Sequence, residues 1–147
     1  MRANYDQVEI QASPGEVWDV LTDLSKHADW NPLIYRAEGT VEVGQKIELS
    51  ARTASTDLNY TCYVVRVEPG RELQWIWHII FPFLIRGDHT FTIEPIDEQS
   101  VRFLNLEIFK GILVPILAKD LMTNGKDAMV AMDRALKDRA EQHFRTA

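Results

Sequence analysis

The chain has 147 residues, of which 46% are apolar and 26% are charged, and these values are ordinary for a folded globular protein and exclude a disordered chain. The formal net charge of −6, with no cluster of lysine and arginine, argues against a protein that binds nucleic-acid phosphates. One cysteine excludes an internal disulfide framework, and no apolar leader precedes the first strand-like pattern, so we expect a single cytoplasmic domain over residues 1–147.

The first elements are a strand and two short helices. Residues 5–10 alternate between polar and apolar and predict a strand. Ser13-Pro14-Gly15-Glu16 is a capping box with proline at the first helical position, so a helix should begin there with its apolar face inward. A second short helix is predicted over residues 25–30, where Asn31-Pro32 ends it because proline disfavours helical geometry in the preceding residue.

From residue 34 to residue 109 the hydrophobic period is two. Six strands are predicted at residues 34–38, 46–51, 59–68, 72–79, 87–94 and 100–109. Glycine and proline separate most of them by short links, and strands joined in this way form an antiparallel meander.

The last part of the chain is helical. Residues 117–144 contain no proline, and their apolar residues follow helical spacing. The pattern predicts one amphipathic helix of about seven turns, or two helices that meet near residues 123–125. Its inward face includes Met129 and Met132, which either fill gaps in a packed core or leave room for a ligand.

Side-chain alternation places a polar set on the inner face of the sheet. His89 follows the same phase as Phe91, and Asn105 and Glu107 follow the phase of Phe103 and Phe109. The complete set of candidate ligand contacts is Trp30, Tyr63, Trp75, Trp77, His89, Phe91, Asn105, Glu107, Met129 and Met132.

His89 and Glu107 are the candidate acid–base pair. They lie on strands joined by a hairpin, and an imidazole beside a buried carboxylate can act as a general base near neutral pH. The same pair can instead orient a ligand or fix the register of the sheet. The four histidines lack metal-ligand spacing and there is no glycine-rich phosphate loop, so neither a metal nor a cofactor is expected.

Two connectors are unusually apolar. Residues 79–85 (IIFPFLI) form a hairpin tip, and residues 112–117 (ILVPIL) lead into the last helix. Turns are usually polar, so exposed apolar segments mark a binding or membrane-contact site. We predict a cavity entrance at Phe81, Phe83, Leu84 and Val114, with transient membrane contact as one role; the alternative is that the connectors cover each other as a satellite core.

The element order resembles the START-like (SRPBCC) superfamily, and four stretches resemble its polyketide cyclase/dehydrase-like branch. These are residues 12–18 (ASPGEVW), 30–32 (WNP), 68–75 (EPGRELQW), and 89–91 (HTF) followed by 107–111 (EIFKG). The resemblance implies an α+β helix-grip fold, in which a curved antiparallel sheet of six or seven strands surrounds a long C-terminal helix. It also implies a cavity between sheet and helix for an apolar or amphipathic small molecule or lipid.

Three functions are therefore open. The first is ligand or lipid binding without catalysis. The second is a cyclase or dehydratase of polyketide-like substrates that uses His89 and Glu107 as acid and base. The third is a protein-interaction module, as in START-like domains that assist chaperones, with the apolar connectors meeting a protein partner.

Overall fold

The computed structural model describes residues 2–146 and contains one seven-stranded antiparallel sheet. The strands are β1 (Arg2–Ile10), β2 (Ile34–Gly39), β3 (Lys46–Arg52), β4 (Asp57–Glu68), β5 (Glu72–His78), β6 (Arg86–Asp97) and β7 (Ser100–Lys110). Their order in the sheet is β1-β7-β6-β5-β4-β3-β2, so the predicted meander is confirmed and β1 extends it beside β7.

Helices cover the concave face of this curved sheet. They are α1 (Pro14–Thr22), a 3-10 turn (Leu24–Lys26), α2 (His27–Trp30), α3 (Val114–Asp120), a π turn (Leu121–Gly125) and α4 (Lys126–Thr146). The last three follow one another directly and form the long C-terminal helix, so the predicted α+β helix-grip architecture is confirmed. No helix within residues 2–146 is long and apolar enough to cross a membrane.

The start of α1 follows half of the predicted capping box. The Ser13 hydroxyl accepts a hydrogen bond from the Glu16 amide at 3.2 Å. The Glu16 carboxylate does not return to the Ser13 amide but faces His143 Nδ1 of α4 at 3.5 Å. A contact with the C-terminal helix therefore replaces the expected hydrogen bond between the Glu16 carboxylate and the Ser13 amide.

Polar contacts fix α4 along β1. Lys137 Nζ donates to the Glu9 carbonyl at 2.9 Å, and Lys126 Nζ donates to the Tyr5 carbonyl. The Gln11 amide donates to Glu141 at 2.8 Å. The buried face of α4, from Met129 to Ala140, is thereby held against the concave side of the sheet.

The π turn covers residues 123–125, where the sequence left open a join between two helices. At its start the Leu121 carbonyl accepts a hydrogen bond of 2.8 Å from Asn4 Nδ2 of β1, and a side chain at Gly125 would lie 3.5 Å from the same nitrogen. Asn4 is buried and pairs with Glu107 across the sheet. A buried amide therefore supports the irregular turn directly above the polar part of the concave face.

A β-bulge in β4 reverses part of the predicted inner face. The register shifts between Val64 and Arg66, so Cys62 and Val64 point inward before the bulge and Val67 packs inward after it. Tyr63 is 37% exposed and stacks on His78 on the convex face, with ring centroids 5.9 Å apart. The prediction that Tyr63 faces the concave side is wrong because simple alternation fails at a bulge.

Candidate functional site

A chain of buried polar side chains runs across the concave face from β5 to α4. Trp77 Nε1 donates to Glu107 Oε2 at 2.7 Å, and the same oxygen lies 3.2 Å from His89 Nδ1. His89 Nε2 lies 2.5 Å from Asn105 Oδ1, and Asn105 Nδ2 donates to Asp133 Oδ1 at 2.8 Å. The side chains arise on β5, β6, β7 and α4, so the network joins the sheet to the helix that covers it.

The network fixes where the protons of His89 lie. Because Asn105 donates its Nδ2 hydrogen to Asp133, its Oδ1 faces the imidazole and can only accept. His89 Nε2 therefore carries a hydrogen, while Nδ1 faces the Glu107 carboxylate. An imidazolium ring satisfies both contacts, donating from one nitrogen to an amide and from the other to a carboxylate.

Glu107 is the carboxylate of this pair. Burial alone would raise its pKa, but the charge of His89 and hydrogen bonds from His89 and Trp77 outweigh burial, so the pKa of Glu107 lies below its ordinary value. Its Oε2 atom accepts both of these contacts. Within residues 2–146, no donor bonds to its other oxygen, Oε1.

The side chains of Glu107 and Tyr60 lie deep in the protein but are partly accessible to water. Glu107 lies deep among the atoms of the protein, yet 17% of its side chain remains accessible to water. Tyr60 lies as deep in the protein as Glu107 and is also partly accessible to water. Its ring packs edge-on against Trp77, with ring centroids 5.7 Å apart. Its hydroxyl has no hydrogen-bond partner in the described part of the chain. Burial, followed by the charges of Cys62 and Glu107, raises the pKa of Tyr60 well above its ordinary value. The site thus offers an ionised acceptor and a neutral hydroxyl beside an indole ring.

Asp133 ends the network inside the molecule. It has no exposed surface, and burial followed by a hydrogen bond with Asp6 raises its pKa from 3.8 to about 8, against the opposing effects of Asn105 and Lys126. As a carboxylate its Oδ2 atom has no partner among the described residues. When protonated, the same carboxyl can donate to Asp6, which lies opposite Asn105 on β1.

The remaining predicted contacts form the walls behind this network. Trp75, Phe91, Met129 and Met132 are at most 2% exposed. The Phe91 ring stacks on His89 at 4.2 Å and meets Trp75 edge-on at 5.1 Å. Among the predicted residues of this network, Trp77 and His89 are 8% and 6% exposed, and 17% of the Glu107 side chain is exposed.

Trp30 is not part of this cluster. Its ring lies 4.8 Å from His27, and it lines a separate cavity of about 90 Å³ beside α4 together with Arg139 and His143. Its indole nitrogen is buried without a partner in the described structure. The WNP stretch therefore supports α2 and its contact with α4, away from the Glu107 network.

A second cavity lies beside the first, next to α1, and Asp23 lines both. It is an open groove of about 480 Å³ whose wall includes Trp18 of α1, with Val41 and Val67. Neither this groove nor the smaller cavity includes His89, Asn105 or Glu107. The groove is therefore an independent place where an apolar molecule can be tested for binding.

The predicted entrance residues divide into an exposed and a buried pair. Phe81 and Phe83 are 53% and 61% exposed, whereas Leu84 is half-buried and Val114 is 5% exposed within the core. Ile112, Ile116 and Leu117 are the exposed large apolar residues of the second connector. Val114 thus anchors this connector instead of forming its outer surface.

Sequence reasoning missed Tyr60 and Asp133. Tyr60 shares the phase of Cys62, which the bulge hides from simple alternation. Asp133 was not among the predicted site residues, although it follows Met132 and is three residues from Leu136 on the buried face. An acidic residue inside an apolar helix stripe was the available signal.

The described residues contain no group of three metal-ligating side chains. Cys62 is buried, and burial followed by the charges of Glu107 and Glu48 raises its pKa well above the ordinary value, which is typical of a structural thiol.

The family follows from comparison of the whole chain. A family model described as polyketide cyclase / dehydrase and lipid transport matches residues 2–141. The chain belongs to this family. Comparison with curated proteins gave no match.

Solved structures with the same fold include enzymes and a START protein. The Zhui aromatase/cyclase from Streptomyces sp. R1128 superimposes with a TM-score of 0.79 at 20% identity, over 97% of this chain and 94% of that one. Norcoclaurine synthase from Thalictrum flavum, solved in complex with dopamine and hydroxybenzaldehyde, gives a TM-score of 0.71 at 18% identity, over 97% of this chain and 87% of that one. A START superfamily protein from Mycobacterium smegmatis gives a TM-score of 0.73 at 16% identity, over 96% of this chain and 98% of that one. At these identities the likeness establishes the fold.

Proposed function

We propose that this member of the family binds an apolar or amphipathic small molecule between the sheet and the C-terminal helix. Glu107 Oε1 accepts a hydrogen bond from a ligand hydroxyl, and the Tyr60 hydroxyl is the second polar contact. The observation that carries the proposal is the accessibility of these two unpartnered atoms deep inside the protein. Apolar walls with few placed polar groups are typical of small-molecule sites.

The aromatic surroundings favour a ligand with a ring and a hydroxyl group. Trp77 lies between Tyr60 and Phe109, with centroid distances of 5.7 and 6.3 Å, and also donates to Glu107. A flat ring can stack in such surroundings while its hydroxyl donates to the carboxylate. Dopamine and hydroxybenzaldehyde, found with the norcoclaurine synthase neighbour, are hydroxylated aromatic molecules of this kind.

The ligand would enter at the end of the sheet where α3 meets the β3–β4 loop. Ser55 Oγ donates to Asp120 at 2.6 Å and joins these segments, while Leu58 and Leu117 nearby are 40% and 38% exposed. The predicted entrance residues Phe81 and Phe83 lie on the β5–β6 loop, which is hydrogen-bonded to residues 112 and 113, just before the other end of α3. We include both sides in the proposed entrance.

The test is binding of 2-naphthol, a fluorescent ring with one hydroxyl group. Glu107→Gln removes the charge but keeps the shape, and we expect it to weaken 2-naphthol binding by about tenfold, the lower end of what a charged hydrogen bond contributes. Binding of 2-methoxynaphthalene, which cannot donate, should be unchanged. Titration by fluorescence gives both affinities.

Glu48→Gln is the matched control, because Glu48 is an exposed carboxylate of β3 that accepts from Thr61 at 2.8 Å. It should leave both affinities unchanged. Equal losses for 2-naphthol and 2-methoxynaphthalene in Glu107→Gln, or no binding of either probe to the wild type, would contradict the proposed contact.

Catalysis of cyclisation or dehydration is the second candidate function. The observation that favours it is the position of Glu107, which contacts His89 through Oε2 while Oε1 stays accessible. A proton taken by Oε1 from a bound substrate would be held by a carboxylate that His89 already orients. With a substrate that turns over, Glu107→Gln should abolish turnover and change KM little; loss of affinity alone would favour binding without catalysis.

A further inference from the structure

One end of the molecule carries an exposed apolar surface, which we call the tip patch. Its members come from the β5–β6 loop and from the segment that begins α3. They are Ile80 (74% exposed), Phe81 (53%), Phe83 (61%), Ile112 (67%), Ile116 (77%) and Leu117 (38%). Exposed apolar residues scattered singly need no explanation, but six on two adjoining segments form a surface that water solvates poorly.

The two segments form one built surface. The Ile112 amide donates to the Phe83 carbonyl and the Leu113 amide to the Leu84 carbonyl, both at 3.0 Å. Gly111 makes this contact possible, since a side chain there would lie 2.4 Å from the Leu84 carbonyl oxygen. Ile85 and Val114 are buried beneath the two segments. The connectors therefore cover each other, as the alternative prediction had it, only on the side that faces the core.

The outer side is held in an exposed arrangement. Ile80 has a φ of 63°, a left-handed conformation that is costly for a β-branched residue, and its side chain is nevertheless the second most exposed of the patch. The Phe81 and Phe83 rings stack on each other at 5.5 Å instead of turning into the core. The loop therefore presents its apolar side chains outward at a cost in backbone energy.

The charges around the tip patch are mainly positive. The two segments, residues 78–87 and 110–119, contain Arg86, Lys110 and Lys119 and no acidic residue, in a chain whose net charge is −6. Asp88 pairs with both Arg86 at 2.7 Å and Lys110 at 3.1 Å, so these three residues together keep one net positive charge, and Asp120 accepts from Ser55 and Asn124. Lys119 is exposed and forms no ion pair among the described residues.

We propose that the tip patch docks on a lipid bilayer that contains anionic headgroups. The apolar side chains would enter the boundary between headgroups and acyl chains, while the basic residues contact lipid phosphates. A symmetric contact between two copies is disfavoured because it would bring the net positive surroundings of the two tip patches, including the exposed Lys119, toward each other. Phe81 and Phe83 also belong to the proposed entrance, but membrane docking rests on the exposed surface and does not require a bound ligand.

The experiment is co-sedimentation with vesicles of phosphatidylcholine that contain about one-third phosphatidylserine. Wild-type protein should bind these vesicles about tenfold more tightly than pure phosphatidylcholine vesicles, and added salt should weaken the binding. The triple variant Phe81→Ser, Phe83→Ser, Ile116→Ser should lose at least about tenfold in partitioning, since burial of apolar side chains supplies the membrane affinity. Its thermal unfolding should match that of the wild type, because the replaced side chains are exposed.

The matched control is the double variant Val43→Ser, Ile96→Ser. These side chains are 62% and 49% exposed and lie in or beside the β2–β3 and β6–β7 connections, at the opposite end of the sheet. The control should sediment like the wild type. Absence of vesicle binding by the wild type, or equal binding by the triple variant, would overturn the proposal. So would a wild-type dimer that the triple variant converts to a monomer without any vesicle binding.

Discussion

Replacing Asp133 by asparagine is expected to stabilise the protein by about 2–4 kcal/mol at pH 8, because it removes the need to ionise or protonate a buried carboxyl. The pKa of Asp133 is raised from 3.8 to about 8, chiefly by burial and then by Asp6. Asparagine keeps an acceptor for Asn105 Nδ2 and places an amide where Asp133 Oδ2 has no partner within residues 2–146. Urea unfolding at several pH values measures the effect.

The sign of the pH dependence follows from linkage. A carboxyl whose pKa is higher in the folded than in the unfolded protein favours folding while it is protonated. This contribution from Asp133 is fully present below pH 3.8 and is lost as the pH rises to about 8. The gain from Asp133→Asn should therefore be small near pH 4 and largest at pH 8. Asp138→Asn, an exposed site on the same helix, is the control; an equal gain there, or a gain from Asp133→Asn that does not grow with pH, would contradict this assignment.

Gly87→Ala is expected to destabilise the protein by about 2–4 kcal/mol through overpacking and loss of a charged hydrogen bond. Gly87 pairs with Trp77 across β5 and β6, and a methyl group at Gly87 would lie 2.2 Å from Trp77 Nε1 and 2.3 Å from Cε2. The indole ring must move, and it then loses its position on Glu107. Urea unfolding gives the loss of stability, and 2-naphthol titration should show weaker binding in the folded variant.

Gly15→Ala is the matched control for this substitution. Gly15 lies in the first turn of α1, and no atom would come within 4 Å of an added methyl group. Alanine should leave stability unchanged or raise it by about 0.5–1 kcal/mol, the usual advantage over glycine in a helix. If Gly87→Ala behaved in the same way, the indole could not be held against β6 as described.

Local patterns in the sequence predicted most of the fold. Ser13 and Pro14 mark the start of α1, and the change of hydrophobic period separates the sheet from the C-terminal helix. These signals act within a few residues of where they occur. The added length of β1 was not predicted because Arg2, Ala3 and Asn4 become a strand by pairing with residues 107–109 of β7, a contact far away in the chain.

Only part of the candidate site was predicted, because local alternation is reliable on regular strands and fails where a bulge or tertiary packing decides. His89, Asn105 and Glu107 lie on regular stretches of β6 and β7, where alternation places them correctly on the concave face. Tyr63 was misplaced and Tyr60 missed because the bulge in β4 changes the phase of that strand. Asp133 became visible only when α4 was placed over Asn105, since its partners are set by packing.

The most direct test of the proposed site is the indole N–H signal of Trp77 in a nitrogen–proton correlation spectrum during 2-naphthol addition. Trp77 donates to Glu107, so a ligand that bonds to Glu107 must change this signal, whereas Trp18 in the distant groove provides an internal reference. We predict a saturable shift of Trp77 with Trp18 unchanged, and an about tenfold higher 2-naphthol concentration for half-saturation in Glu107→Gln. A shift confined to Trp18 would place the ligand in the groove and contradict the account.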